Sequence, residues 1–101
     1  MSTLAEPYKK KGFPENRSKL EIINSILAAS EEGTLKTRIM YKCNLNSRQI
    51  DSYLNLLLRG ELIERTPDER GTRYTYRPTE RGLRFLDTYG ELLEILGKYE
   101  E

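Results

Sequence analysis

Four polar side chains recur along the segment SRQIDSYLNLLLR at a spacing that places them on one face of a helix. Successive members are four, three and four residues apart, and they are Arg48, Ser52, Asn55 and Arg59. Apolar residues occupy the opposite face, namely Ile50, Tyr53, Leu54, Leu57 and Leu58. None of these four polar residues is an acid, and arginine and asparagine offer the paired hydrogen bonds that match guanine and adenine edges. This face therefore suits a nucleic-acid groove, with an ordinary solvated helix surface as the alternative.

The bulk composition predicts a single domain that binds a partner and does not span a membrane. The chain has 101 residues with 17 Lys and Arg against 16 Asp and Glu. It has no apolar run long enough for a membrane helix and no signal-peptide pattern, which predicts a soluble cytoplasmic, nucleoid-associated protein with no membrane partner. Residues 1–48 carry nine Lys and Arg against five Asp and Glu, whereas residues 49–101 carry eight against eleven. The excess of positive charge in the first half favours an anionic partner.

Residues for catalysis are scarce in this sequence. The chain contains no histidine, one cysteine and no glycine-rich phosphate loop. Catalytic triads, zinc sites and nucleotide cradles are therefore not expected. We predict a protein that is not an enzyme, with no metal, cofactor or small-molecule substrate, and we predict that Cys43 is a buried structural thiol.

Two capping boxes predict the starts of two helices. Ser18 precedes Glu21 by three residues, and Asn46 precedes Gln49 by the same spacing. In each pair the first side chain can accept from the third helical backbone N–H, and the later side chain can accept in return. Gly60 is in the position of a residue that ends the second of these helices.

The remaining elements follow from turn and alternation signals. Thr34 is predicted to cap a short helix that continues to about Tyr41. The segments ELIERT and TRYTYRP, separated by PDERG, predict a β-hairpin. Tyr74 and Tyr76 share one face of it and are expected to pack against the helices; a stacking platform for single strands is the alternative. Thr79 is predicted to cap a final long helix.

Three helices followed by a two-stranded hairpin are the element order of a winged helix-turn-helix. We therefore predict a mainly α fold with a small β-hairpin (α+β) and a C-terminal helix. Residues 1–17 are predicted to be a flexible basic arm, residues 18–79 a winged-helix DNA-binding domain, and residues 80–101 a dimerisation helix. In such a motif the second helix of the pair enters the major groove of duplex DNA.

The segments SKLEIINSILAA, KTRIMYKCNLN and YRPTERGLRFL, with the helix between the last two, resemble small archaeal winged-helix DNA-binding proteins. The similarity is to the ten-kilodalton chromatin-type family known from crenarchaea and covers roughly residues 18–97. It implies binding to double-stranded DNA through the helix-turn-helix and the wing. It also implies a homodimer formed through a C-terminal coiled-coil helix. This hairpin has a longer tip, TPDERGTR, and the last helix is shorter and richer in glycine than the family pattern.

Further candidate contacts to DNA lie on the short second helix, at the start of the third helix and at the wing tip. They are Lys36, Thr37, Arg38, Lys42, Ser47, Arg70 and Arg73. A solvated surface is the alternative for each of them. Asp68 and Glu69 adjoin the wing arginines and would repel the same phosphates.

The last helix has an apolar stripe longer than a small winged core can cover. The residues expected to form a dimer interface are Leu86, Tyr89, Leu92, Leu93 and Leu96. The alternative is a monomer in which this helix packs back onto the first helix.

DNA binding as a transcription regulator or chromatin-associated factor is the function that these features favour. A second possibility stays open: a winged-helix protein-interaction module within a larger complex, without direct contact to DNA. The near-neutral net charge and Asp51 favour this second possibility, and a fold alone does not choose between them.

Overall fold

The computed structural model describes residues 18–100, with side chains described as far as Gly97. Its elements in chain order are α1 (Lys19–Ala29), β1 (Thr34–Leu35), α2 (Lys36–Lys42), α3 (Ser47–Arg59), β2 (Ile63–Pro67), β3 (Tyr74–Pro78) and α4 (Glu80–Glu100). The predicted basic arm, residues 1–17, lies outside the described residues. None of the described helices is both long enough and apolar enough to cross a membrane.

Both predicted capping boxes are present. The Ser18 hydroxyl accepts from the Glu21 backbone N–H at 3.1 Å, and the Glu21 carboxylate accepts from the Ser18 N–H at 3.1 Å. Asn46 and Gln49 form the equivalent bonds at 2.8 and 2.9 Å at the start of α3. Each pair satisfies two backbone donors that a helix start would otherwise leave without partners.

The prediction that Thr34 caps the second helix is wrong. Thr34 pairs with Tyr76 and Leu35 with Thr75, so this segment is a third strand in a sheet of order β1-β3-β2. The residue that precedes α2 is Leu35, which makes no side-chain cap bond. Ladder bonds to β3 satisfy this backbone instead, and they join the helix-turn-helix to the wing.

The sheet and three helices enclose one apolar core. β2 and β3 pair in antiparallel register, from Ile63 with Pro78 to Pro67 with Tyr74. The fully buried apolar side chains are Ile26, Leu27, Ile39, Ile50, Leu57 and Ile63. Tyr76 joins this core as predicted, but Tyr74 remains 39% exposed, because it lies at the far end of the strand toward the wing tip.

The end of α3 differs from the prediction in one residue. The helix does stop at Arg59, but Gly60 keeps a right-handed conformation with φ −83°. The left-handed residue is Glu61, with φ 58°. The N–H of Glu61 bonds the Leu58 carbonyl at 3.1 Å and that of Leu62 bonds the Leu57 carbonyl at 2.9 Å. This is a Schellman motif with glutamate in the place that glycine usually takes.

Thr79 and Gly82 fix the first turn of α4. The Thr79 hydroxyl accepts from the Gly82 N–H at 3.1 Å and donates to the Glu61 carbonyl at 2.7 Å. Gly82 is buried, and a side chain there would collide with the backbone carbonyl of Leu62. Phe85 and Leu86 then pack against the core, so the first half of α4 belongs to the winged domain.

Candidate nucleic-acid interface

The four polar side chains that recur along α3 make no polar contact with the rest of the described chain. Arg48, Ser52, Asn55 and Arg59 are all exposed. None of them makes a side-chain hydrogen bond or ion pair with another residue in the range 18–97. On the opposite side Ile50, Leu54 and Leu57 are buried. The sequence prediction of two faces is confirmed, and the polar face is available to a partner.

α2 presents its own polar side chains beside α3. The four candidates on this helix, Lys36, Thr37, Arg38 and Lys42, are exposed. A tight turn joins the two helices, with Asn44 in the left-handed region at φ 55° and the Leu45 N–H bonded to the Met40 carbonyl at 2.9 Å. Cys43 is buried in this turn, as predicted.

An ion pair that the sequence analysis missed connects α2 to α3. The Lys36 ammonium lies 2.8 Å from Oδ1 of Asp51, and the two side chains are 45% and 57% exposed. The hydrogen bond that Lys36 donates to Asp51, together with the negative charge of Asp51, raises the pKa of Lys36, although desolvation acts in the opposite direction. Asp51 is therefore not an uncompensated acid on the α3 surface.

The pairing of β1 with β3 places the start of α2 against the wing. A groove of about 340 Å³ opens between them, lined by Leu35, Lys36, Thr37, Thr72, Arg73, Tyr74 and Tyr76. Lys36 and Thr37 from the helix thus share one groove with Arg73 from the wing. The two helix residues and the wing residue are distant in sequence, but they line the same groove.

Asp68 organises the wing tip. Its carboxylate accepts from the Thr72 N–H at 3.0 Å and from the Thr72 hydroxyl at 3.2 Å, while Gly71 takes φ 73°. Desolvation works against ionisation, but hydrogen bonds with the backbone of Thr72, Arg73 and Gly71 and with the Thr72 hydroxyl hold the pKa of Asp68 below its usual value. Asp68 is thus a turn-forming residue, and Arg70 and Arg73 are both exposed beside it.

Arg65 is a wing residue that the sequence analysis did not single out. Its guanidinium lies 4.2 Å from the centre of the Tyr74 ring. Tyr74 meets Tyr76 edge to face at 6.4 Å. Because Arg65 pairs with Tyr76 across the sheet, it lies on the same face as Tyr74, and this could be found only from the strand register.

The five predicted dimer residues fall into two groups along α4. Leu86 and Tyr89 are half-buried against the winged domain, and Tyr89 stacks on Phe85 with ring centres 6.0 Å apart. Leu92, Leu93 and Leu96 are 50%, 49% and 55% exposed. We call these three, with the neighbouring exposed Ile95, the α4 outer cluster. No group of three Cys, Asp or Glu side chains within residues 18–97 could hold a metal ion.

The profile of the winged helix-turn-helix family matches residues 16–97. This chain belongs to that family. It is 33% identical over 81 residues to an uncharacterised protein, MJ0287, from Methanocaldococcus jannaschii, a match that covers 79% of this chain and 77% of the relative. The predicted resemblance to archaeal winged-helix proteins is confirmed.

Solved structures of other winged-helix proteins share this fold. Sso10a-2, a DNA-binding protein from Sulfolobus solfataricus, superposes with a TM-score of 0.73 at 24% identity, over 83% of this chain and 86% of that one. MepR from S. aureus, in a complex with DNA, superposes with a TM-score of 0.67 at 16% identity, over 99% of this chain and 81% of MepR. At these identities the similarity establishes the winged-helix architecture of this chain. It does not identify the partner, which has to be inferred from the residues of the site.

Proposed function

We propose that this winged-helix protein binds duplex DNA as a homodimer and acts as a transcription regulator or chromatin-associated factor. The observation that carries the proposal is the polar face of α3. It offers Arg48, Ser52 and Asn55 as exposed hydrogen-bonding side chains with no partner in the described chain. The description of Sso10a-2 as DNA-binding and the MepR complex with DNA support the same partner.

In this proposal α3 enters the major groove by its N-terminal turns. Ser47 and Arg48 occupy the first turn, with Ser52 and Asn55 further along the same side. Arg48 and Asn55 would contact base edges, because their paired hydrogen bonds match guanine and adenine. Ser47 and Arg59 would contact the backbone at the two ends of the helix.

Phosphate contacts would come from α2 and from the wing. Arg38 and Lys42 are exposed and make no ion pair with any residue between 18 and 97. Thr37 and Lys36 line the same groove as Arg73, and Arg70 is exposed at the wing tip. These side chains surround α3 on the side that a DNA backbone would pass.

A second copy of the chain is the partner proposed for the α4 outer cluster. Four large apolar side chains in adjacent turns are half-exposed there. Leu86, Tyr89, Leu93 and Leu96 follow the three-four spacing of a short coiled coil. A two-fold pair would present two copies of α3 to one face of a duplex when these are ~34 Å apart or a multiple of that distance.

The experiment that tests DNA binding is a salt titration of affinity for duplex DNA. We expect the association constant to fall steeply as salt rises, because bound Lys and Arg release condensed counterions. Arg38→Ala should bind every sequence more weakly and lower the slope of log K against log salt by about 0.9, the value for one phosphate contact. Arg81→Ala, which removes an equal charge from the exposed face of α4, should leave the slope unchanged.

An absence of duplex binding at low salt would overturn the proposal and favour the protein-interaction module. The same would follow if Arg38→Ala and Arg81→Ala changed the salt slope equally, since the binding would then be an effect of net charge alone.

A further inference from the structure

Asp51 lies at one edge of the α3 face proposed for base contacts. It follows Arg48 by three residues and precedes Asn55 by four, so it shares their side of the helix. Its side chain is more than half exposed. A carboxylate in this place would repel DNA phosphates if it were unpaired, so its presence requires a reason.

The contact with Lys36 holds the Asp51 carboxylate in a defined position. Oδ1 of Asp51 accepts from the Lys36 ammonium at 2.8 Å. Oδ2 has no hydrogen-bond partner among the residues that the structure describes. Lys36 thereby compensates the negative charge and leaves one carboxylate oxygen able to accept a further hydrogen bond.

The chemistry of an ionised carboxylate restricts what this oxygen can bind. It accepts hydrogen bonds and donates none, so it repels N7 and O6 of guanine and O4 of thymine. On cytosine the neighbour of the N4 amino donor within the same base is C5–H, which is not an acceptor, whereas adenine places N7 beside its N6 amino group. Among the four bases, cytosine therefore fits a lone carboxylate acceptor best.

We propose that Asp51 selects a cytosine in the bound duplex and that Lys36 is the residue that positions it. The inference rests on the proposed function, because it assumes that α3 enters the major groove. It assigns Lys36 a role in base discrimination beyond the phosphate contact that its charge alone indicates. Asp51, whose negative charge would otherwise disfavour DNA binding, is then a part of the recognition surface.

The test begins with selection of duplexes from a randomised library by the parent protein. We expect the enriched sites to contain one fixed cytosine in each half-site. Affinity is then measured for the selected duplex and for a duplex with that C·G pair replaced by T·A. The parent should prefer the cytosine duplex by roughly 5- to 150-fold, the range for one good base contact.

Asp51→Ala should remove this preference while retaining duplex binding. Asp51→Asn keeps the size of the side chain and adds a donor, so selection with this variant should shift the position toward adenine. The matched control is Asp87→Ala on the exposed surface of α4, which removes the same charge and should change both affinities by one common factor.

Lys36→Met separates positioning from phosphate binding. If Lys36 positions Asp51, the ratio of the two affinities falls in this variant. If Lys36 serves only as a phosphate contact, both duplexes weaken equally and the positioning role is overturned. Equal preference of the parent and Asp51→Ala for cytosine would overturn the role of Asp51, although the proposed function would stand. A parent that binds no duplex at all would overturn both proposals together.

Discussion

Arg48 and Asn55 make no contact on which the fold depends. Both project from α3 on the side opposite the buried Ile50, Leu54 and Leu57. We predict that Arg48→Ala and Asn55→Ala each weaken binding to a selected duplex by ~1–3 kcal/mol and relax preference at one position. Isothermal titration or fluorescence anisotropy would give the affinities, and thermal unfolding should show an unchanged midpoint.

The matched control for Arg48 is Arg84→Ala, which removes an exposed arginine from α4. Its effect on affinity should be small and the same for all sequences. Variants of Arg48 and Asn55 that bind and discriminate as well as the parent would exclude α3 as the source of base contacts.

Acid should loosen the wing tip through Asp68. The folded pKa of this carboxyl is below its ordinary value of 3.8. The stability that it contributes is therefore fully present above the ordinary value and is lost as the pH falls through the lowered one. We predict that the NMR resonance of the Thr72 amide titrates with a midpoint below 3.8. Asp68→Asn should abolish this transition, and a midpoint above 3.8 in the parent would contradict the hydrogen bonding that we describe.

Two glycines of α4 illustrate how one residue type can act in opposite ways within one element. Gly82 is pressed against the Leu62 carbonyl, whereas a side chain at Gly90 would meet no atom within 4 Å. We predict that Gly82→Ala lowers the free energy of unfolding by ~1–3 kcal/mol through overpacking. Gly90→Ala should raise it by up to ~1 kcal/mol, because alanine is the better helix former.

Thermal unfolding followed by circular dichroism, at one protein concentration, would measure both changes. For a domain of this size, ~1 kcal/mol corresponds to ~4–8 °C in Tm. Equal destabilisation by the two substitutions would show that Gly82 has no special packing role.

The elements that could be predicted from sequence are those set by near neighbours. Each capping box predicts its helix because the cap bond joins residues only three apart, Ser18 with Glu21 and Asn46 with Gln49. Thr34 has the side chain of a cap, but its backbone is taken by Tyr76, which is far away in sequence. A pattern of neighbouring residues carries no information about pairing with a strand that is distant in sequence. The third strand was missed for that reason.

The candidate site shows the same division. The exposure of Arg48, Ser52 and Asn55 followed from helical periodicity alone. The pairing of Lys36 with Asp51 spans 15 positions and depends on the crossing of two helices, which periodicity does not define. Glu61 was missed as the left-handed residue because glycine is the residue type that usually takes this conformation at the end of a helix. Gly60 is present at the right place but remains right-handed.

Considered as a whole, the molecule is a winged domain with a helical extension. The Cα atoms extend over 51 × 26 × 23 Å, and α4 is 21 residues long. The helix contacts α1 and β3, and Phe85 and Leu86 in its first half pack against the core. It thus packs back in part onto the first helix, as the alternative to the dimer predicts. Its second half carries the α4 outer cluster, whose side chains are about half exposed to solvent.

We predict that Leu93→Glu yields folded monomers. A charge in the apolar seam would oppose association, while the packed first half of α4 would keep the domain intact. Analytical ultracentrifugation at micromolar concentration would measure the state. DNA affinity should fall by roughly 10²- to 10⁴-fold, the gain usually provided by linking two binding modules.

Leu83→Glu makes the same substitution at another exposed leucine of α4, outside the α4 outer cluster, and should leave the dimer intact. A parent chain that sediments as a monomer at this concentration would refute the role of the α4 outer cluster without any variant.

The free half of α4 also determines how this protein could change its targets. Within an uninterrupted helix each added residue turns everything beyond it by about 100° and advances it by ~1.5 Å. In a dimer joined through that segment, a short insertion or deletion near Gly90 would alter the phase and distance between the two copies of α3. Descendants of one ancestor could thus acquire different operator spacings while every residue that touches DNA stayed the same.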